Sequence, residues 1–89
     1  MNFRIKIRKI NKNILFAIDS SGVAIFDKEN HTSEFLTYPE AGVWLVFSEG
    51  HNQAKSIKIL ESVLMKKTIE TKRLVKQCLD IWRKKAYID

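Results

Sequence analysis

HTSEFLTYPEAGVWLVFSEG, residues 31–50, decides the fold of this chain. Residues 31–36 are half polar, with Phe35 and Leu36 as their only large apolar side chains. They read as a weak strand at the edge of a sheet. Thr37-Tyr38-Pro39-Glu40 is a sharp turn. Thr37 and Glu40 have capping-box spacing: the hydroxyl can accept from the Glu40 N–H, and the carboxylate from the Thr37 N–H. Pro39 is tolerated in a first helical turn because its missing N–H has no partner there. Ala41, Val43, Trp44, Leu45, Val46 and Phe47 follow. A helix apolar almost all round is a buried, central one. Gly50 suits the left-handed residue just past its end.

Working outward, residues 3–10 alternate Phe3, Ile5 and Ile7 with Arg4, Lys6 and Arg8, the pattern of a half-buried strand. Residues 14–18 (ILFAI) and 23–26 (VAIF) are apolar runs of strand length, separated by turn residues 19–22 (DSSG) and closed by residues 27–30 (DKEN). Residues 31–36 are then the last strand of a meander. Beyond Gly50, Asn52 is a candidate N-cap for a second helix, whose stripe is Ala54, Ile57, Leu60 and Leu64, widened by Ile59 and Val63. Thr68 can cap a third helix over about residues 69–86, with Glu70 near its positive end. Strands first and helices afterwards make an α+β fold, a small antiparallel sheet followed by three helices, in a single domain spanning residues 1–89.

The third helix carries the most information. Leu74, Val75, Cys78, Leu79, Ile81, Trp82 and Ala86 cover an arc of roughly 160° at 100° per residue. Packing on a core needs a stripe of about 100°. The surplus points to two contacts, one on the core and one in a groove. Deeper burial in a small core is the alternative, and the spacing leaves both open.

Composition narrows the function. Forty-five per cent hydrophobic and ten per cent aromatic content supports a core and argues against disorder. No apolar run approaches the ~20 residues of a membrane span. The single cysteine, Cys78, excludes an internal disulfide and fits a reducing compartment, so a cytoplasmic location is expected. The net charge of +6 is uneven. Arg4, Lys6, Arg8, Lys9 and Lys12 open the chain without an acid, and residues 13–65 hold seven acids against three lysines. Residues 66–85 are basic again, with eight Lys or Arg against Glu70 and Asp80. Such a chain can meet an acidic partner, although most of its lysines read as solvated surface.

Catalytic chemistry is not legible. His31 and His51 stand twenty residues apart, with no Cys, Asp or Glu at a metal-ligand spacing. Cys78 lies mid-stripe, where it reads as a small core residue rather than a nucleophile. The glycines at 22, 42 and 50 form no phosphate loop. No catalytic residue, metal or cofactor is therefore expected, and the chain reads as a binding module.

The order of these residues resembles the PqqD-like family of peptide chaperones and precursor-peptide recognition domains. Leu36-Thr37, Ala41-Gly42, Trp44 and Gly50 stand where that family has a Leu-Asn pair, an alanine- and glycine-containing helix with a Trp, and a closing Gly. Ala86-Tyr87-Ile88 stands for its Gly-Leu-Ile-like tail, and the likeness covers about residues 14–89. The resemblance implies a winged-helix-like domain of three strands and three helices. It also implies that the leader of a ribosomally synthesised precursor peptide adds as a strand beside the third strand, under the third helix. The partner enzyme would be a peptide-modifying one, such as a radical SAM maturase or a leader peptidase. The residues agree with this on their own account. A weak edge strand, His31, Thr32, Ser33, Glu34, Phe35 and Leu36, offers unpaired backbone groups for β-augmentation. Leu79 and Trp82 are the candidate apolar anchors on the third helix, with Arg73, Lys76 and Arg83 as partners for leader carboxylates.

The runner-up is a winged-helix DNA-binding protein. Its recognition helix needs an exposed basic face, and residues 53–65 offer only Lys55 and Lys58 against Glu61. Membrane-surface binding by the third helix, with Trp82 among Lys and Arg, is weakened by Asp80 and by the need to cover a core. Neither nucleic acid nor membrane is expected as a partner.

Overall fold

The computed structural model describes residues 10–88. The strand expected over residues 3–10 lies outside them except for Ile10, which forms an isolated antiparallel bridge with Ile88. Three strands follow, β1 (Ile14–Asp19), β2 (Gly22–Asp27) and β3 (Thr32–Leu36), antiparallel in the order β1-β2-β3. Then come α1 (Glu40–Ser48), α2 (Gln53–Leu64) and α3 (Thr68–Lys84). The expected α+β architecture is present, with β3 at one end of the sheet.

Two aspartates build the turns. Asp19 Oδ1 accepts from the Ser21 N–H at 2.7 Å, the Ser21 hydroxyl at 2.8 Å and the Gly22 N–H at 3.2 Å. Close approach requires glycine at 22: a Cβ there would stand 2.0 Å from the Leu36 carbonyl oxygen on β3. Asp27, although buried, accepts from the backbone N–H groups of Glu29 and Asn30 and from the side chains of Asn13 and Asn30. A buried carboxylate so satisfied stays ionised, and these bonds, led by the Asn30 N–H, hold its carboxyl below the usual range. His31 is not the start of β3; it closes this turn at φ 55°.

The sheet's inner face presents Ile14, Val23, Ile25 and Leu36 to the helices, and β2 meets α1. As its composition requires, α1 is central, with Ala41, Gly42, Val43, Trp44, Val46 and Phe47 buried. Trp44 is 1% exposed and meets Phe16, Trp82 and Tyr87 edge-on, at ring-centroid distances of 5.6, 5.1 and 6.2 Å. The expected capping box is not made. Pro39, after a cis Tyr38–Pro39 bond, occupies the N-cap in a helical conformation, so Thr37 stands two residues too far out. There Thr37 contributes its carbonyl, which accepts from Ala41 N–H at 2.8 Å. Gly50 is left-handed as expected, at φ 89°.

In α2, Asn52 is the N-cap, its side chain accepting from Lys55 N–H at 2.8 Å. The buried residues are Ser56, Ile57 and Leu60, while Ala54 and Val63 of the expected stripe are exposed. In α3 the N-cap is Lys67 rather than Thr68, and its N–H donates to the Glu70 carboxylate at 3.4 Å. Ala86 ends that region at φ 63°, a left-handed conformation that a Cβ disfavours. We expect Ala86→Gly to stabilise the domain by about 0.5–1 kcal/mol, the relieved strain outweighing glycine's extra chain entropy. A urea midpoint that falls instead would show that Ala86 carries no strain.

Candidate functional site

The free edge of β3 is one wall of the site. Its register against β2 pairs Asp27 with Thr32, Phe26 with Ser33, Ile25 with Glu34, Ala24 with Phe35 and Val23 with Leu36. No strand among the described residues covers its other side. Thr32, Ser33 and Phe35 are exposed, Glu34 is half-buried and Leu36 is buried. Alternation turns Thr32, Glu34 and Leu36 toward the helices, and Ser33 and Phe35 away from them.

Glu34 links this edge to the end of α3. Its Oε1 accepts from Lys85 Nζ at 2.8 Å and from the Tyr87 hydroxyl at 2.5 Å. Burial pushes the Glu34 carboxyl up, but the bonds from Lys85 and Tyr87 outweigh it and hold the group below the usual glutamate range. Burial and the Glu34 carboxylate push the Tyr87 phenol far up in turn, so it stays a donor at any ordinary pH. Because the folded carboxyl is the stronger acid, the stabilisation is full above the unfolded glutamate range and is lost as pH falls through the folded value. The melting-temperature gap between the wild type and Glu34→Gln is therefore expected to be open at neutral pH and to close in acid. A pH-independent gap would contradict the linkage. A cleft of about 520 Å³ opens beside the clasp, lined by Thr32, Ser33, Glu34, Lys85 and Tyr87 together with Asp27 and Asn30.

The same clasp orients α3. Lys85 faces β3, and residues four and eleven positions earlier on a helix share its side. Those residues are Ile81, 49% exposed, and half-buried Leu74. Cys78 lies between them and the core, with its thiol pushed up to about 12 by burial and by the nearby Glu40 at the start of α1. The helix arc therefore divides in two. Thr71, Val75, Cys78, Leu79 and Trp82 are buried, half-buried Leu74 packs against that core, and Ile81 is left exposed on the Lys85 side.

This division corrects the expected roles of two residues. Leu79 and Trp82, 6% and 3% exposed, offer a ligand no surface in this state; they hold α3 on α1. Arg73, Lys76 and Arg83 are all exposed; Lys76 and Arg83 lie on the opposite side of α3 from Lys85, and Arg73 on the other edge of the apolar arc. Lys76 and Arg83 contact Asp80 there, at 3.1 and 3.4 Å. The structure thus brings Thr32, Ser33 and Glu34 together with Lys85 and Tyr87, and helical phase puts Leu74 and Ile81 on the Lys85 side of α3. The sequence reading missed Lys85 and Tyr87 as site residues. Their signal was weak, since a cation at a helix end usually serves only the helix dipole.

Among the described residues no group of three or more His, Cys, Asp or Glu is placed to hold a metal, and no helix is long and apolar enough to cross a membrane. No family model and no curated protein matches the sequence. Among solved structures the chain is similar to TbiB1 in complex with the TbiA(beta) leader peptide, with a TM-score of 0.84 at 15% identity, over 91% of this chain and 94% of that one. Three antiparallel strands followed by three helices are thus the fold this chain shares with a protein solved in complex with a leader peptide.

Proposed function

We propose that this chain is a non-catalytic, PqqD-like recognition module that captures the leader of a ribosomally synthesised precursor peptide. It presents that peptide to a modifying enzyme, such as a radical SAM maturase or a leader peptidase, in the cytoplasm. One observation carries the reading: the open edge of β3 is tied through Glu34 to Lys85 and Tyr87 at the end of α3, with exposed Ile81 one helical turn before Lys85. A peptide strand added there satisfies its own backbone on β3 and turns alternate side chains toward Leu74 and Ile81. The leader bound to the structural neighbour supports the reading.

Within it, residues 32–36 supply backbone and Leu74 and Ile81 supply apolar contact. Lys85 offers the N–H groups that Glu34 leaves free. Arg73, Lys76 and Arg83 provide a basic field around α3. That field accelerates encounter with an acidic leader more than it tightens the complex.

The test is a calorimetric titration with the leader of the precursor encoded beside this gene. Saturable one-to-one binding, with amide shifts at residues 32–37 and at Leu74, Ile81 and Lys85, is the expected result. Shifts centred on residues 53–64 would move the site elsewhere. Absence of leader binding alongside tight, salt-sensitive binding to duplex DNA would replace the reading with a winged-helix regulator.

A further inference from the structure

We propose that the turn between α2 and α3 is a docking point for the surface of an anionic lipid bilayer. Val63, Met65 and Ile69 are 65%, 90% and 70% exposed, the most exposed large apolar side chains among the described residues. They fall within seven residues of one another at a corner of the fold. Met65 is the C-cap of α2 in a left-handed conformation, φ 55° and ψ 42°. A methionine held in that region, where glycine is favoured, is a feature the fold alone does not require.

Charge complements the apolar tip. Lys66 and Lys67 fill the turn itself, and Lys72 and Arg73 follow on α3, all exposed. The nearby acids are Glu61, which is half-buried, and Glu70, whose carboxylate turns back to the Lys67 N–H. Apolar side chains projecting from a convex corner need a medium that closes around them. A bilayer interface does so without a preformed socket, and its phosphates meet the surrounding lysines. Membrane contact through Trp82 was weighed in the sequence and set aside because of Asp80 and the need to cover a core; Trp82 is indeed core, and the exposed apolar side chains lie at the other end of the helix.

The geometry leaves the peptide site open. Seventeen residues of α3 span about 25 Å, which separates this turn from the Lys85–Glu34 clasp. The inference does not rest on the peptide reading, and either can fail alone.

Co-sedimentation with phosphatidylcholine vesicles, with and without phosphatidylglycerol, tests it. The full chain is expected to pellet with the anionic vesicles and not with the neutral ones, less so as salt is raised. Met65→Asp with Ile69→Asp is expected to abolish pelleting, and Lys66→Glu with Lys67→Glu to weaken it at least about tenfold. Because all four side chains are exposed, circular dichroism and melting temperature should stay unchanged, which separates lost docking from lost fold. Failure to pellet with anionic vesicles, equal pelleting with neutral ones, or undiminished pelleting of the Met65→Asp, Ile69→Asp variant would each overturn the proposal.

Discussion

Proline at Ser33 or at Glu34 is expected to abolish leader binding at one of the two positions and spare most of it at the other. Along an edge strand the N–H groups alternate between the neighbouring strand and the open side. Ser33 and Glu34 are adjacent in β3, so only one of them offers a donor to an incoming peptide. Removing that donor leaves a leader carbonyl unpaired in a closing interface and adds the bulk of a ring. The first effect alone is worth about 1–3 kcal/mol, roughly ten- to a hundredfold in affinity. At the other position the lost N–H is one that pairs with β2, and there the cost falls on stability. Glu34→Pro also removes the bonds to Lys85 and Tyr87. Glu34→Gln is the control that isolates the side chain from the backbone. Two prolines with equal effects on calorimetric affinity, in folded variants, would show that the leader does not pair with β3.

Trp44→Ala is expected to cost about 3–5 kcal/mol, the range for deleting a large aromatic from a core. The whole stability of an 89-residue domain is on the order of 5–13 kcal/mol. Much of the population would then be unfolded at moderate urea. The size of the effect follows from position, since three rings from β1, α3 and the C-terminal tail meet Trp44 edge-on. Trp44→Phe is expected to be much milder. It keeps a ring in the cavity and removes an indole N–H that is buried with no hydrogen-bond partner, a group that costs stability where it stands. A Trp44→Phe variant as unstable as Trp44→Ala would show that the edge contacts of the larger ring, rather than core volume, hold the cluster.

The fold was legible wherever one local rule decided the outcome. The apolar content of residues 41–47 could only belong to a buried helix. Asn52 capped α2 because its side chain can reach the third N–H, and Gly50 followed α1 because a left-handed residue was needed there. The two misplaced caps arose where two rules compete. Thr37 had the right spacing, but Pro39 two residues on took the cap position with its own backbone. The candidate site was legible in part. The thin apolar content of residues 31–36 identified the edge correctly, and the wide α3 arc includes Ile81, which the core leaves exposed. Which residues belonged to which contact was decided by Lys85 and Glu34, fifty-one residues apart in sequence. Helical periodicity gives angles around one axis and carries no information on where a distant strand lies. Leu79 and Trp82 were therefore read as groove residues, whereas both are buried in the core.

The bridge between Ile10 and Ile88 has an engineering consequence. Asn11 strengthens it, with its N–H donating to the Tyr87 carbonyl at 2.9 Å and its side chain to the Ala86 carbonyl. A polypeptide entering at Ile10 leaves at Ile88 through the same small patch of surface. A unit whose entrance and exit adjoin can be spliced into a surface loop of a larger protein without pulling the host apart. Grafted in this way into an unrelated enzyme, the module would serve as a portable handle, its host reached by any substrate carrying the matching tag.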